Sequence, residues 1–387
     1  MRKILGLLVF VTTFTTWATP TITSVTAQQR YPWNGKVDIA YTVTGDIAGM
    51  ALMNGLITTL KVTATDMVAN TSYTATTAAL SGATTLTEGD HAIVWDLDLQ
   101  GVNLKSSNVV FNVSCETNAA RYCVIDLSAG ANASSYPVTY LAEEPAGGFA
   151  NDTYRATKLA LRRCNAGSFK MQGSTTTTLT KPFYMGVFEV TQKQWMLVMG
   201  SWPNESPSSS NGSGDGYPAY YVSYDNIRGS SNGAKWPSSA AVDATSFIGK
   251  LQARTQLNFD LPTEAQWEYA CRAGTTTTYY WGNSMNGDYA WYKSNSSAKS
   301  HPVGTKKPNA WGLYDMSGNV WEWCLDWYGS SLAYGTDPKG SSSGSGRVLC
   351  GGCWYNSESY CTSSIRYEYY PSNNYHYYGF RLSRTLP

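Results

Sequence analysis

The chain has 387 residues, a formal net charge of +1 and only 14% charged residues, against about 25% in an average soluble domain. Its length exceeds what one core usually organises, so two domains are expected. Long Lys or Arg runs are missing, which argues against nucleic acid as a partner, and Thr, Ser, Gly and Tyr form a polar surface common in secreted β-rich proteins.

The first residues have the three parts of a signal peptide. Arg2 and Lys3 form a basic end, and Ile4–Phe14 is an apolar segment too short to span a bilayer. Ala18 supplies a small residue for cleavage. The alternative interpretation is a buried N-terminal strand. We predict that residues 1–18 are a signal peptide and that the mature chain, without a transmembrane segment, is exported to the periplasm, the cell surface or the medium.

Residues 19–117 contain short runs that alternate between apolar and polar side chains. Val37–Val43, His91–Leu97 and Asn108–Ser114 are strand-like and are separated by Gly, Asn, Asp and Thr. Only Ala51–Ala64 is ambiguous between helix and strand. The pattern predicts an immunoglobulin-like β-sandwich, without a catalytic cluster, that spaces or docks a second domain.

Residues 118–158 are predicted to be a linker, and 159–387 a second domain with a different character. Thr191 and Thr263, each followed three residues later by Gln, are capping boxes that start helices; the second helix is expected to close at Gly274. Ala240–Thr255 is a further amphipathic helix. Phe183–Val190, ahead of the first capping box, alternates like a strand.

Eight cysteines are present, an even number that permits disulfides in an exported chain without making it a disulfide-built scaffold. Cys115 and Cys123 have the most hairpin-like spacing. Cys350 and Cys353 have the spacing of a metal or redox pair, but a second such pair is missing from the sequence, which argues against a zinc ribbon. The sequence leaves the pairing open.

A tyrosine-rich stretch runs from Trp354 to Tyr378 and holds eight Tyr and one Trp among Ser and Asn. Tyr offers a large contact area at low rotamer cost, and its hydroxyl needs a polar partner. A mixture of Tyr, Ser and Asn is typical of a binding surface. The alternative is a tyrosine-rich β-hairpin with one solvated face.

Several motifs follow one another in a fixed order along the second domain. They are SFKMQG, FYMGVFEVTQKQW, LPTEAQWEYACRAG, YYWGN, PNAWGLYDMSGNVWEWCLDWYG, RV-x-x-GG-x-W and a closing GFR. Together, between Leu159 and Arg384, they resemble the formylglycine-generating enzyme, or sulfatase-modifying factor, family. The resemblance implies an irregular α+β fold of C-type-lectin type with little regular secondary structure, as the three short helices also indicate.

Asp315 and Glu322 bracket a tight Gly-Asn turn, and two carboxylates with intervening carbonyls suit a hard, oxygen-loving cation. By resemblance, these two side chains and the carbonyls of Gly318 and Val320 would form the family's structural calcium site. The alternative is a capped turn with two exposed acids. A second family calcium site would need an Asn where this chain has Trp291.

The family enzymes oxidise a substrate cysteine with copper and oxygen, using two cysteines five residues apart. Two thiolates suit Cu(I). By resemblance the second cysteine is Cys361, but the first falls at Asn356, whose amide cannot replace a thiolate. The family's Ser is Cys353 here, and its active-site His is Ser357. We therefore favour a non-catalytic protein without copper; Cys361 and the retained Tyr360 would be catalytic only if the chain were an enzyme.

Other catalytic classes lack their residues. The three histidines, His91, His301 and His376, are isolated along the sequence, which argues against a non-haem iron site. A nucleophile elbow of the serine-hydrolase type is not recognisable.

Departures from the family concentrate between Cys350 and Tyr378, while the residues around them are kept. This distribution resembles the variable proteins of diversity-generating retroelements, in which adenine-containing codons are scrambled on a lectin-type fold. The alternative is drift of a non-catalytic paralogue. The predicted ligand contacts are Trp354, Tyr355, Asn356, Ser357, Ser359, Tyr367, Tyr369, Tyr370, Asn373, Asn374, Tyr375, Tyr377 and Tyr378. All of these except Trp354, together with Glu368, should also be the positions that differ most among sibling sequences.

The prediction is an exported protein that binds a protein, peptide or glycan through this stretch. Arg366 and Arg381 are expected to hold carboxylates or carbonyls inside the fold, and Trp311, Trp321 and Trp323 to form one cluster. The competing classes are a copper-dependent formylglycine-generating oxidase and a structural surface-layer component, the latter if the tyrosines were buried against the sandwich.

Overall fold

The computed structural model describes residues 21–30, 34–45, 47–82, 86–104 and 108–387. The chain divides into two compact units, Met1–Ala119 and Ala120–Pro387. The predicted signal peptide, residues 1–18, lies outside the described residues. In the described part of the chain, the helices are all too short or too polar to cross a bilayer.

The first unit is built almost entirely from strands. Its elements are β1 Thr21–Gln29, β2 Lys36–Thr44, α1 Ile47–Asn54, β3 Leu56–Asp66, β4 Thr71–Thr74, β5 Leu80–Gly82, β6 Gly89–Asp96, α2 Leu97–Gln100 and β7 Val109–Ala119. They form a four-stranded sheet in the order β1-β2-β6-β5 and a three-stranded sheet in the order β4-β3-β7, antiparallel throughout.

One face of each sheet contributes to a common core, because side chains alternate sides along a strand. Val37 and Ile39 of β2 and Val62 of β3 are fully buried in it. Trp95 of β6 packs edge-on against Phe111 of β7, with 6.2 Å between ring centroids, and so joins the two sheets. Full burial of each such side chain contributes roughly 1.5–3 kcal/mol.

The strand predictions for the first unit are confirmed. Val37–Val43 lies within β2, and the other two runs fall on β6 and β7 with shifts of one to a few residues at their ends. The ambiguous segment Ala51–Ala64 divides into the end of α1 and most of β3. The break is at Gly55, whose φ of 61° lies in the left-handed region that favours glycine.

The second unit combines short strands, short helices and long loops. Its elements are β8 Tyr122–Asp126, β9 Val138–Leu141, α3 Asp152–Ala156, β10 Lys158–Cys164, β11 Gly167–Met171, β12 Thr175–Leu179, β13 Phe183–Gly186, α4 Gln192–Met199, α5 Tyr224–Arg228, α6 Phe247–Thr255, α7 Glu264–Arg272, β14 Trp321–Trp327, β15 Gly335–Thr336, β16 Arg347–Cys350, β17 Arg366–Tyr369, β18 Tyr378–Gly379 and β19 Ser383–Thr385. The protein is thus of the mixed α+β class, with more strand than helix.

Three sheets organise the second unit. A five-stranded sheet has the order β19-β13-β10-β8-β9, a three-stranded sheet β11-β12-β15, and a four-stranded sheet β17-β16-β14-β18. The segment 118–158, predicted as a linker, contributes β8, β9 and α3 to this unit; β8 pairs with β10 over five residue pairs. Its apolar run YCVI is buried, which explains why it is structured.

Both capping boxes are present. The Thr191 and Thr263 hydroxyls each accept from the backbone N–H three residues on, and each Gln side chain returns to the capping residue. The helix predicted over Ala240–Thr255 begins later, because Ser246 caps it. The last predicted helix, α7, ends at Arg272 and is capped by Ala273 in the left-handed conformation, one residue before the predicted Gly274.

Candidate ligand-binding face

Two buried arginine–carboxylate pairs fix the sheet β17-β16-β14-β18. Arg381 donates from Nε and Nη2 to the two oxygens of Glu322, both at 2.6 Å, and its other contacts are the carbonyls of Gly186 and Tyr314. Both partners of this pair are fully buried. The prediction that Arg381 binds inside the fold is therefore confirmed.

Arg366 makes the equivalent pair at the other edge of the sheet. It donates from Nε to Oε1 of Glu264 at 2.6 Å and from Nη2 to Oε2 at 2.9 Å. Glu264 is the first residue of α7, where a carboxylate also interacts favourably with the helix dipole. The second arginine prediction is confirmed as well, and the chain between the two arginines is anchored at both ends.

The three tryptophans predicted as one cluster occupy separate places. Trp311 packs against Tyr269, with ring centroids 5.1 Å apart, whereas Trp323 packs against Tyr378 at 5.5 Å. Trp321 lies under Tyr367 at 5.7 Å. The prediction of a single cluster was wrong: Trp311 lies ahead of β14 in a loop that packs on α7, and Trp321 and Trp323 contact different tyrosines.

Seven tyrosines form a surface that we name the tyrosine face: Tyr355 and Tyr360 precede the Arg366 anchor, and Tyr367, Tyr369, Tyr370, Tyr375 and Tyr377 lie between the two anchors. Tyr355 and Tyr370 are 60% and 61% exposed, and Tyr360 and Tyr367 are 42% and 46% exposed. Exposed aromatic side chains at this density are unusual on a soluble protein and mark interaction sites.

The rings within the tyrosine face order one another. Tyr377 lies nearly parallel to Tyr355 and to Tyr375, with interplanar angles of 11° and 4°. The hydroxyls of Tyr369 and Tyr375 are 3.3 Å apart, within hydrogen-bonding distance. Contacts of this kind restrict side-chain rotamers before a ligand arrives, which lowers the entropy cost of binding.

The remaining predicted ligand residues divide by burial. Ser357 and Ser359 are exposed, and Asn356, Asn373 and Asn374 are half-buried. Trp354 and Tyr378 are only 4% and 2% exposed, so these two are not surface contacts. Trp354 packs edge-on against Tyr355, and Tyr378 pairs with Trp321 in the four-stranded sheet. Trp354 and Tyr378 therefore belong to the framework below the tyrosine face.

The thiols near the face are buried, and burial disfavours their ionised forms. Cys353 donates to Oδ1 of Asn356 at 3.0 Å, and burial raises the pKa of Cys353 to about 12. Cys361 is fully buried beneath Gly352, and its Sγ lies 3.9 Å from the carbonyl oxygen of Ser357. Burial raises the pKa of Cys361 even more than that of Cys353. Cu(I) requires thiolates, so neither environment favours it.

The Cys350–Cys353 spacing does not bring those two thiols together as a pair. Cys350 instead lies with its Sγ 3.8 Å from Sγ of Cys324 on the neighbouring strand, whereas Cys353 turns toward Asn356. All eight cysteines are free thiols. Cys115 is half-buried in the first unit and Cys123 is fully buried in the second.

The histidines stay apart, as expected. His301 stacks on Trp291 with 3.7 Å between ring centroids, and His376 packs against Trp354. His91 lies in the first unit. Within the described ranges, groups of three or more His, Cys, Asp or Glu side chains suited to holding a metal ion do not occur.

The acids predicted to bind calcium belong to a buried carboxylate group that also includes Glu189. Glu189 accepts from Asn319 Nδ2 at 2.7 Å and from the Val320 N–H at 3.1 Å. Burial, reinforced by Asp315 and Glu322, raises the pKa of Glu189 well above its ordinary value, and burial raises the pKa of Asp315 to about 6. Sequence reasoning missed Glu189, although a lone acid in the apolar run VFEV was its signal.

The predicted calcium ligands do not fit the ion as they are arranged. One oxygen of Asp315 is buried without a hydrogen-bond partner, which suits a cation. Both oxygens of Glu322, however, accept from Arg381, and one also accepts from Trp267 Nε1 at 2.7 Å. Calcium takes six to eight oxygens, and of the two predicted carboxylates only Asp315 keeps an oxygen without a partner. Trp291, in place of the second site's Asn, carries the Lys306 ammonium 3.7 Å from its ring centroid.

We expect the melting temperature in millimolar calcium and in excess EGTA to agree within about 1 °C, because a ligand that does not bind the native state adds no stability. Differential scanning calorimetry measures this directly. A rise of several degrees in calcium that is lost in Asp315→Asn would contradict the expectation, and would mean that Glu322 leaves Arg381 to bind the ion.

These features define a class: an irregular α+β domain whose arginine–carboxylate pairs hold a small sheet below a loop-built surface. The chain belongs to the family described as the sulfatase-modifying factor enzyme 1-like domain, which matches residues 145–386. The resemblance found in the sequence motifs is thereby confirmed. The match begins within the segment predicted as a linker.

Named relatives fall in the same family. The formylglycine-generating enzyme of Thermomonospora curvata is 31% identical over 189 residues, 43% of this chain and 55% of that enzyme. The Streptomyces coelicolor enzyme is 39% identical over 119 residues, 26% of this chain and 38% of its own length. This chain thus spans about half or less of these relatives. Among solved structures, Treponema denticola variable protein 1 is 28% identical with a TM-score of 0.48, covering 60% of this chain and 96% of that protein.

Proposed function

We propose that this is an exported, non-catalytic binding protein that contacts a protein, peptide or glycan through the tyrosine face. The observation that carries the proposal is the exposure of four tyrosines: Tyr355 and Tyr360 in the loop before β17, and Tyr367 and Tyr370 between the two arginines held by ion pairs. Rigid, amphipathic tyrosine rings on a fixed backbone lose little entropy on binding.

Diversification by a retroelement is part of the same proposal. The positions expected to vary are those at the surface between Arg366 and Arg381 and in the loop after Cys353, while the arginines and their carboxylates stay constant. Substitutions at exposed positions away from caps and ion pairs usually change stability by less than about 0.5 kcal/mol. Such a segment accepts many sequences on one fold.

The first unit is proposed to be an immunoglobulin-like sandwich that spaces the binding unit. Two antiparallel sheets around one core, with seven strands in the described residues, support this assignment. Its surface pairs, such as Arg30 with Asp38, are exposed and contribute little. We assign this unit a structural role.

We expect Tyr355→Ser combined with Tyr370→Ser to weaken ligand binding at least tenfold, because both rings are more than half exposed and their contact area would be lost. Ligands are first selected with the full chain from displayed peptides and a glycan array, and affinities are then measured by interferometry. The matched control is Tyr334→Ser, a ring 61% exposed outside the face. Binding unchanged in the double variant would refute the assignment of this surface.

We expect the full chain, loaded with Cu(I) and given a Cys-containing sulfatase-type peptide, to form no aldehyde detectable by mass spectrometry. The physical reason is that Asn356 supplies an amide where a second thiolate is required, and that burial raises the pKa of the Cys361 thiol. Asn356→Cys is tested beside it. Aldehyde from the native chain would overturn the non-catalytic proposal; aldehyde from the variant alone would identify an oxidase scaffold that lacks one ligand.

A further inference from the structure

The second unit contains a cavity of about 720 Å³ that shares no residue with the tyrosine face. It lies between the loop after α5, the turn between α6 and α7, the loop before β16 and the last strand, β19. We propose that this cavity is a second binding site, for a small amphipathic organic anion: a carboxylate or sulfonate carried on an apolar body. Its volume is in the range of small-molecule sites.

The apolar part of the site is well ordered. Phe259, Leu261 and Leu325 line the cavity and are at most 4% exposed. Trp236 adds a half-buried indole, held in place because its Nε1 donates to the carbonyl of Lys339 at 3.1 Å. An aromatic and aliphatic wall of this kind takes the hydrophobic body of a ligand.

The charge lining the site is net positive, because Asp260 is paired with Arg228 and the remaining acid, Asp337, is outnumbered by two lysines. Asp260 accepts from Arg228 at 2.9 and 3.0 Å. Asp337 accepts from the Thr180 N–H at 2.8 Å and from the Thr180 hydroxyl. Lys181 and Lys339 also line the cavity, are exposed, and form no ion pair with any residue in the described part of the chain. Two ammonium groups against one uncompensated carboxylate leave the cavity with a net positive charge, which attracts an anion.

A buried polar atom gives the second reason to expect a ligand. Ser383 lines the cavity, is 2% exposed, and its Oγ has no hydrogen-bond partner. Its backbone is fully used, since its N–H and C=O bond to Asp260 at 2.7 and 2.8 Å. A buried hydroxyl without a partner costs about 1–3 kcal/mol, and a ligand atom that hydrogen-bonds it removes that cost.

The test compares two fluorescent probes that share a ring system. 8-Anilinonaphthalene-1-sulfonate carries the anion, and N-phenyl-1-naphthylamine is its neutral counterpart. We expect the full chain to bind the sulfonate with one-to-one stoichiometry and at least tenfold more tightly than the neutral amine. Lys181→Glu combined with Lys339→Glu should weaken the sulfonate at least tenfold, and raised salt should weaken it in the native chain.

Ala241→Trp, at an exposed lining position, should block the cavity and abolish binding; Ala240→Trp serves if the first variant melts early. Lys170→Glu is the matched control, an exposed lysine outside the cavity, and should bind as the native chain does. Unchanged binding in the blocked variant would show that the probe sits elsewhere. Equal affinity for both probes, or no effect of the two lysine reversals, would overturn the anion assignment.

Discussion

Arg381→Met is expected to lower the free energy of unfolding by about 3–5 kcal/mol. The substitution leaves Glu322 fully buried with its charge uncompensated, because both of its oxygens face Arg381. It also removes the donors that satisfy the carbonyls of Gly186 and Tyr314. Urea unfolding followed by tryptophan fluorescence measures the loss, and the tyrosine face is expected to lose its anchor in the same variant.

Two further variants make this result specific. Arg121→Met removes a pair with Glu143 whose side chains are 47% and 78% exposed, and should change stability by less than about 0.5 kcal/mol. Arg381→Met with Glu322→Gln should be less damaging than Arg381→Met alone, because no buried charge remains. A loss below about 1 kcal/mol for Arg381→Met would mean that Glu322 has another partner, with calcium the first to examine.

Asp326→Asn is expected to stabilise the protein at pH 8 by about 2–3 kcal/mol. Burial, with Glu264 adding to it and Arg347 and Arg366 opposing it, raises the pKa of Asp326 to about 8. One pKa unit corresponds to about 1.4 kcal/mol of stability. The expected gain is smaller than the full pKa shift would imply, because local rearrangement and water entry reduce the cost of burying the charge. The Asn oxygen can still accept the Glu264 N–H, which Asp326 accepts at 2.8 Å.

The direction with pH follows from linkage. An acid whose pKa is higher in the folded state than in the unfolded state does not lower the free energy of unfolding at pH values below its unfolded pKa, near 3.8. Between that pH and about pH 8, it lowers the free energy of unfolding progressively. Stability of the native chain should therefore fall over this range, and the fall should be smaller in Asp326→Asn. Asp152→Asn, at a fully exposed side chain, is the matched control. Equal pH profiles for native chain and Asp326→Asn would contradict the assignment.

Local signals were sufficient for some elements of the fold. The Thr191 and Thr263 capping boxes depend on residues three apart, so the sequence could place both helices. α5 was missed, although Ser223 and Asn226 form a similar reciprocal cap, because its five residues carry no periodic apolar pattern. Strand β8 was missed because its partner β10 is what makes a short apolar run into a strand.

The site shows the same division between local and distant information. The tyrosine-rich composition predicted an aromatic surface, and most of its tyrosines are at least partly exposed. That Trp354 and Tyr378 are buried depends on packing against other segments, which spacing does not encode. Glu322 was predicted as a calcium ligand from its neighbours in sequence, whereas its partner Arg381 is 59 residues away. Pairings at such separation are set by the sheet order β14-β18 and the strand that follows.

The anchors described above separate two tasks within one short segment. Arg366 points inward to Glu264, while its neighbour Tyr367 is 46% exposed. At the far end of the segment, Arg381 is buried four residues beyond Tyr377. Under the proposed function, foldability is encoded by one set of residues and recognition by another, interleaved along the same backbone. If the segment is diversified as proposed, a new specificity can arise there without a new solution to the folding problem.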